Sequence, residues 1–173
     1  KTLEEPLHGL LILLCSSPER LLQTIRSRCQ EILFSRLTLD DIKKVLKKID
    51  YKFEEQLLFQ LDQPVLFALA SGSPGILLKN SIIWEALPKE LIARLKGTPV
   101  DSLEALSLAK DLTDSLDIEA QLWLIDWLGY HMWFTEQDER PIRRLDKLRR
   151  HLLAYVQPRL AWEIAFLEIR SFS

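Results

Sequence analysis

Ser27, Arg28 and Cys29 place a hydroxyl, a guanidinium and a thiol side by side in the chain. An arginine is permanently charged and presents a rigid fork of donors, which suits it to carboxylate or phosphate oxygens. Taken alone, Arg28 reads as a surface charge paired with a nearby carboxylate, and Arg20 and Arg26 read as solvated charges. By alternation Cys29 is expected to point inward as a small buried thiol. Upstream, Cys15 and Ser16 close an apolar run. A thiol is a weak hydrogen-bonding group, so Ser16 is the credible polar contact there. Ser17 before Pro18 suits a helix cap. Farther along, Arg140, Arg143, Arg144, Lys147, Arg149 and Arg150 cluster around Asp146. A solvated helix face is the plain reading of that cluster; the sharper one is DNA contact, whose affinity falls steeply with salt. His131 and His151 lack cysteine or carboxylate partners at ligand spacing, so no metal site is expected. No Gly-x-x-x-x-Gly-Lys-Ser/Thr loop occurs, so these residues are expected to hold neither nucleotide nor any other cofactor.

Two kinds of element must position these groups. Residues 9–15 form a continuous apolar run of the sort found in buried parallel strands. A short helix from 19 to about 24 should follow, and 30–35 alternates like a second, half-covered strand. Two strands do not make a stable parallel sheet by themselves. The chain is therefore expected to enter the middle of a larger α/β domain. From Thr38, a plausible N-cap, the period turns helical, with Leu39, Ile42, Val45, Leu46 and Ile49 on one face. Further helices are expected over 53–61 and 65–70, and from Ser73-Pro74 through Ile83. Three long ones should cover about 101–116, 117–134 and 138–156, and Pro158 should open a last one to about 171. The stretch 118–134 carries Trp123, Trp127, Tyr130, Trp133 and Phe134 with apolar residues on more than one face. Such a helix is central to a core or shared with a partner, and core packing is the default.

The 173 residues carry 23 basic and 25 acidic side chains, a formal charge of −2. That balance gives no global electrostatic footprint for nucleic acid. Two cysteines cannot build a disulfide framework, which points to a reducing compartment. The apolar run at 10–15 is far shorter than the roughly 20 residues a membrane helix needs, and the acidic start is unlike a signal peptide. A cytoplasmic protein without membrane contact is expected.

Residues 10–30 resemble the clamp-loader branch of the AAA+ ATPases. Pro18, Leu21, Leu22, Thr24, Ile25, Ser27, Arg28 and Cys29 fall in register with that family's Pro-x-x-Leu-Leu-x-Thr-Ile-x-Ser-Arg-Cys pattern. The segment from Ala70 to Gly75 sits where the family's lid carries its sensor-2 motif, and 155–163 resembles its last collar helix. The resemblance implies a mainly α fold: a short AAA+ α/β remnant over 1–37, a helical lid over 38–87 and an all-α helical collar over 88–173.

It also implies roles. Arg28 would be an arginine finger acting in trans, flanked by Ser27 and Cys29, and Ser16 would occupy the sensor-1 position. ATP-hydrolysing subunits carry an arginine where this chain has Gly75, so the lid should not sense ATP. The implied function is that of a non-hydrolysing subunit of the DNA polymerase III clamp loader, which catalyses nothing itself. Its partners would be gamma/tau- and delta-type subunits, met through the collar and the Arg28 face. Trp162 and Phe166 would form part of the collar interface, and an acidic collar surface of a neighbour would meet the basic cluster. The complex would bring sliding clamp and primed DNA. The alternatives are an ATP-hydrolysing gamma/tau-type subunit and a helical DNA-binding module.

Overall fold

The computed structural model describes residues 11–48, 63–97 and 101–171. It is mainly α, and its residues fall into two compact units, Lys1–Ser35 and Arg36–Ser173. The first contains a 3₁₀ turn, Pro18–Arg20, and a one-turn helix α1, Gln23–Arg26. The second contains α2 (Leu39–Lys48), α3 (Gln63–Ala70), α4 (Pro74–Ala86), α5 (Lys89–Leu95), α6 (Ser102–Ser115), α7 (Ile118–Glu136), α8 (Glu139–Leu153) and α9 (Pro158–Arg170).

The expected strands are corrected. Residues 11–15 and 30–35 form no strand, and no strand occurs among the described residues. A strand exists only through a neighbour that pairs its N–H and C=O groups, and no ladder partner is present among the described residues. Their apolar side chains remain exposed, Leu14 at 91% and Phe34 at 90%. The expected helix from 19 to 24 is also divided. The 3₁₀ turn closes through Arg20 N–H to the Ser17 carbonyl at 3.0 Å, and α1 starts only at Gln23. Pro18 takes the first helical position as expected, while the Ser17 side chain makes no capping bond.

In the helical unit the expected spans from residue 63 onward are found within about three residues of their ends; the expected 53–61 helix and Ile49 lie outside the described residues. Side-chain caps explain most of the starts. Thr38 Oγ1 accepts the Asp41 N–H at 3.3 Å, and Ser73 Oγ accepts that of Ile76 at 3.4 Å. The carboxylates of Asp101, Asp117 and Asp138 accept N–H groups at the starts of α6, α7 and α8 at 2.7–2.9 Å. Each satisfies one of the donors that a helix leaves orphaned in its first turn. Pro141 is tolerated in α8 because it too falls in that first turn. The short α5 after Pro88 was not expected; Leu91 and Leu95, one turn apart, bury it.

α6, α8 and α9 pack on one another in the order α6–α9–α8, and α7 lies against α8. α3 packs on both α4 and α7, and α2 on α4. One continuous set of buried side chains runs from Ile42 to Ile169. α7 is central: Trp123, Leu124, Ile125, Trp127, Leu128 and Met132 are all buried, which accounts for its apolar residues on more than one face. Trp84 of α4 meets Trp123 edge-on with ring centroids 6.0 Å apart and Trp127 at 5.4 Å. Among the described residues no helix is long and apolar enough to cross a membrane.

Candidate functional site

The Ser-Arg-Cys segment is a turn at the C-terminus of α1. Arg28 N–H bonds to the Ile25 carbonyl at 3.1 Å and Cys29 N–H to that of Arg26 at 3.3 Å, which closes the turn. The Ser27 hydroxyl donates to the Thr24 carbonyl at 3.3 Å, and Arg28 Nη1 donates to the same oxygen at 2.9 Å. Thr24 thus anchors both side chains, and carbonyls at a helix C-terminus are favourable partners for a cation. Arg28 is exposed at the surface of its unit. Arg26 pairs with Glu31 at 3.7 Å, both half-exposed, in keeping with a solvated charge.

Cys29 is corrected: it is exposed, not buried. Its inward orientation depended on strand alternation, and no strand forms there. Together with Cys15 and Ser16 it lines a cavity of about 380 Å³ within the first unit. The structure therefore brings Ser16 and Cys29 to one cavity, while Arg28 is not among the residues that line it. Ser16 is exposed. Gly75 occupies the second position of α4, and a Cβ there would meet nothing within 4 Å. Packing therefore does not require glycine at that position.

The basic cluster is laced with carboxylates. Arg140 pairs with Asp138 at 2.7 Å, Arg143 with Glu139 at 2.9 Å and Arg150 with Asp146 at 3.3 Å, all within the α8 segment. Arg144 and Lys147 both reach Glu168 of α9 at 3.4 Å, and Arg149 pairs with Asp126 of α7. The Arg140 guanidinium beside Asp138 holds that carboxyl below the usual range, chiefly through their side-chain hydrogen bond. This face is an ion-paired helix surface that ties α8 to its neighbours.

The family of the cyanobacterial DNA polymerase III delta prime C-terminal domain matches residues 40–169. The chain belongs to this delta prime family. Residues 1–38 match the family of the DNA polymerase III delta subunit, so the two matches meet close to the boundary between the compact units. Protein STICHEL-like 3 of Arabidopsis thaliana is 34% identical over 144 residues, covering 83% of this chain. The chain spans only 13% of that relative's length. No solved structure matches the chain.

Within the delta prime domain, two aromatic expectations part ways. Trp123 and Trp127 are core, as the default held. Trp162 and Phe166 were expected at an interface; both are buried inside their own chain, at 0% and 2% exposure. A feature of this chain that sequence reasoning missed is Gln121, a buried polar residue bonded to Trp162. Its sole sequence signal was a glutamine in the first turn of α7, beside Glu119 and among apolar residues.

Proposed function

We propose that this chain is a non-hydrolysing subunit of the DNA polymerase III clamp loader. It helps assemble the loader ring and donates Arg28 in trans to a neighbouring ATPase subunit, supporting sliding-clamp loading on primed DNA. The observation that carries this reading is an exposed Arg28 on a helix-terminal turn, and it is supported by Gly75, the second residue of α4, which offers no charge where the resemblance would put an ATP-sensing arginine. Membership of the delta prime family supports it. The division of the helices into a lid over 38–87 and a collar over 88–173 belongs to the same reading, with gamma/tau- and delta-type subunits as partners. Ser16 is the polar group of the sensor-1 position.

Phosphoryl transfer spreads negative charge over the γ-phosphate oxygens, and a guanidinium supplied by a neighbour stabilises that charge. For Arg28 the step is an exchange of acceptors: the Thr24 carbonyl is given up for phosphate oxygens. A bidentate contact between guanidinium and an anionic phosphate is stronger than a guanidinium's single bond to a neutral carbonyl, which favours the exchange.

The test is Arg28→Ala and Arg28→Lys in the full-length protein, reconstituted with its partner subunits. Both should assemble normally yet slow DNA- and clamp-stimulated ATP hydrolysis, since an ammonium does not reproduce the planar fork. Trans-acting fingers are worth roughly 10³–10⁵ in rate at a single site, and less in an ensemble with several sites. Arg20→Ala and Arg26→Ala should match the wild type. Complexes carrying Arg28→Ala that load clamps at the wild-type rate would remove the assignment.

A further inference from the structure

The turn between α3 and α4 closes on the first residues of the helical unit. Gly72 adopts a left-handed conformation with φ +78°, following Ser71 at φ +50°. A Cβ on Gly72 would stand 2.8 Å from Arg36 Cβ, 2.8 Å from the Leu37 nitrogen and 2.9 Å from the Leu37 carbonyl oxygen. Two of those three atoms are backbone and have no rotamer by which to retreat. The approach is also bonded, because Leu37 N–H donates to the Gly72 carbonyl at 3.3 Å. The Leu37 side chain packs against the hydrophobic core, and Thr38, the next residue, starts α2.

We propose that Gly72 is a latch. Its bare α-carbon admits the Arg36–Leu37 backbone, so that the helical unit is pinned at its very first residues rather than from α2 onward. The latch is independent of the reading of Arg28 given above.

Three variants of the full-length protein test this. Gly72→Ala introduces both a Cβ and an unfavourable backbone angle. Gly72→Asn keeps the left-handed angle accessible but still carries the Cβ, so it isolates the steric contact. Gly75→Ala lies three residues away, where a Cβ meets nothing, and serves as the control. The readouts are hydrogen exchange at the Leu37 amide and the rate of tryptic cleavage after Arg36. Both should rise about tenfold or more in the two Gly72 variants, as expected when a local closed state is lost. Protection of α6–α9 should be unchanged, and Gly75→Ala should behave as wild type. Wild-type protection at Leu37 in Gly72→Asn would overturn the latch, as would an equal loss of protection throughout α6–α9.

The ATPase of reconstituted complexes separates the two proposals. If the latch opens and Arg28→Ala leaves hydrolysis unchanged, the finger reading fails and the latch stands.

Discussion

Trp162 Nε1 donates to Gln121 Oε1 at 3.0 Å across the core, and Gln121 Nε2 donates in turn to the Leu116 carbonyl at 2.8 Å. Both side chains are buried, so neither bond has water as an alternative. One amide thus satisfies an indole donor on α9 and the carbonyl of the residue that ends α6, and it does so from the first turn of α7.

Replacing Gln121 by Leu should therefore be costly. Each buried group left without a partner costs about 1–3 kcal/mol, and this change orphans the Trp162 N–H and the Leu116 carbonyl. Urea unfolding should show a lower midpoint with an unchanged slope. Adding Trp162→Phe should recover part of the loss by removing the stranded donor. A single variant as stable as the wild type would mean that the relay contributes nothing.

Gly129 offers the opposite change. It lies inside α7, and a Cβ there would sit 3.9 Å from Leu145 Cδ1, an ordinary van der Waals distance. Glycine in a helix interior is roughly 0.5–1 kcal/mol less favourable than alanine. Gly129→Ala should stabilise the chain by about that amount, read as a higher thermal midpoint.

Acid should weaken two helix starts. The Thr38 hydroxyl, and then Lys44, hold the Asp41 carboxyl below its ordinary value, and Arg140 does the same for Asp138. A carboxyl whose folded value is depressed contributes stability that is full above the unfolded value and is lost as pH falls through the folded one. Both groups are partly open to solvent, so the loss is small. NMR carboxyl titrations should place both midpoints below those of unstructured aspartates, and Asp138→Asn should flatten the acid limb of the stability profile.

The basic face of α8 should bind DNA weakly at best, because its cations already have carboxylate partners. Direct phosphate contacts would make log affinity fall by about 0.9 per contact for each decade of salt. The isolated chain titrated with duplex DNA at two salt concentrations should show no such slope, and Arg143→Ala with Arg150→Ala should change nothing. A steep slope abolished by those substitutions would restore the DNA-binding reading.

Much of the helical architecture was legible in the sequence because its determinants are local. Thr38 and Ser73 cap the turns that follow them, Pro158 opens α9, and the apolar residues of α7 mark the centre of the core. The Ser-Arg-Cys turn and Gly75 were singled out through the resemblance to the clamp-loader pattern. Even the ends of helices were less certain where no glycine marks them: α7 runs on to Glu136 and stops at Gln137 in a left-handed conformation, which any side chain but glycine adopts at some cost.

Tertiary structure decided everything that depends on a partner distant in the chain. The apolar runs at 11–15 and 30–35 have strand composition but no ladder neighbour among the described residues, so Cys29 loses the alternation that would have buried it. Trp162 became core rather than interface because Gln121, 41 residues earlier, supplies its acceptor. The charges of α8 were visible as a cluster, yet Glu168 and Asp126, which engage Arg144, Lys147 and Arg149, come from α9 and α7. Gly72 stood out in the sequence only as part of the Ala70–Gly75 segment, and only the packed structure shows the Leu37 backbone occupying the space a Cβ would need. Propensity and periodicity act over a few residues, whereas pairing and close approach are fixed only when the helices meet.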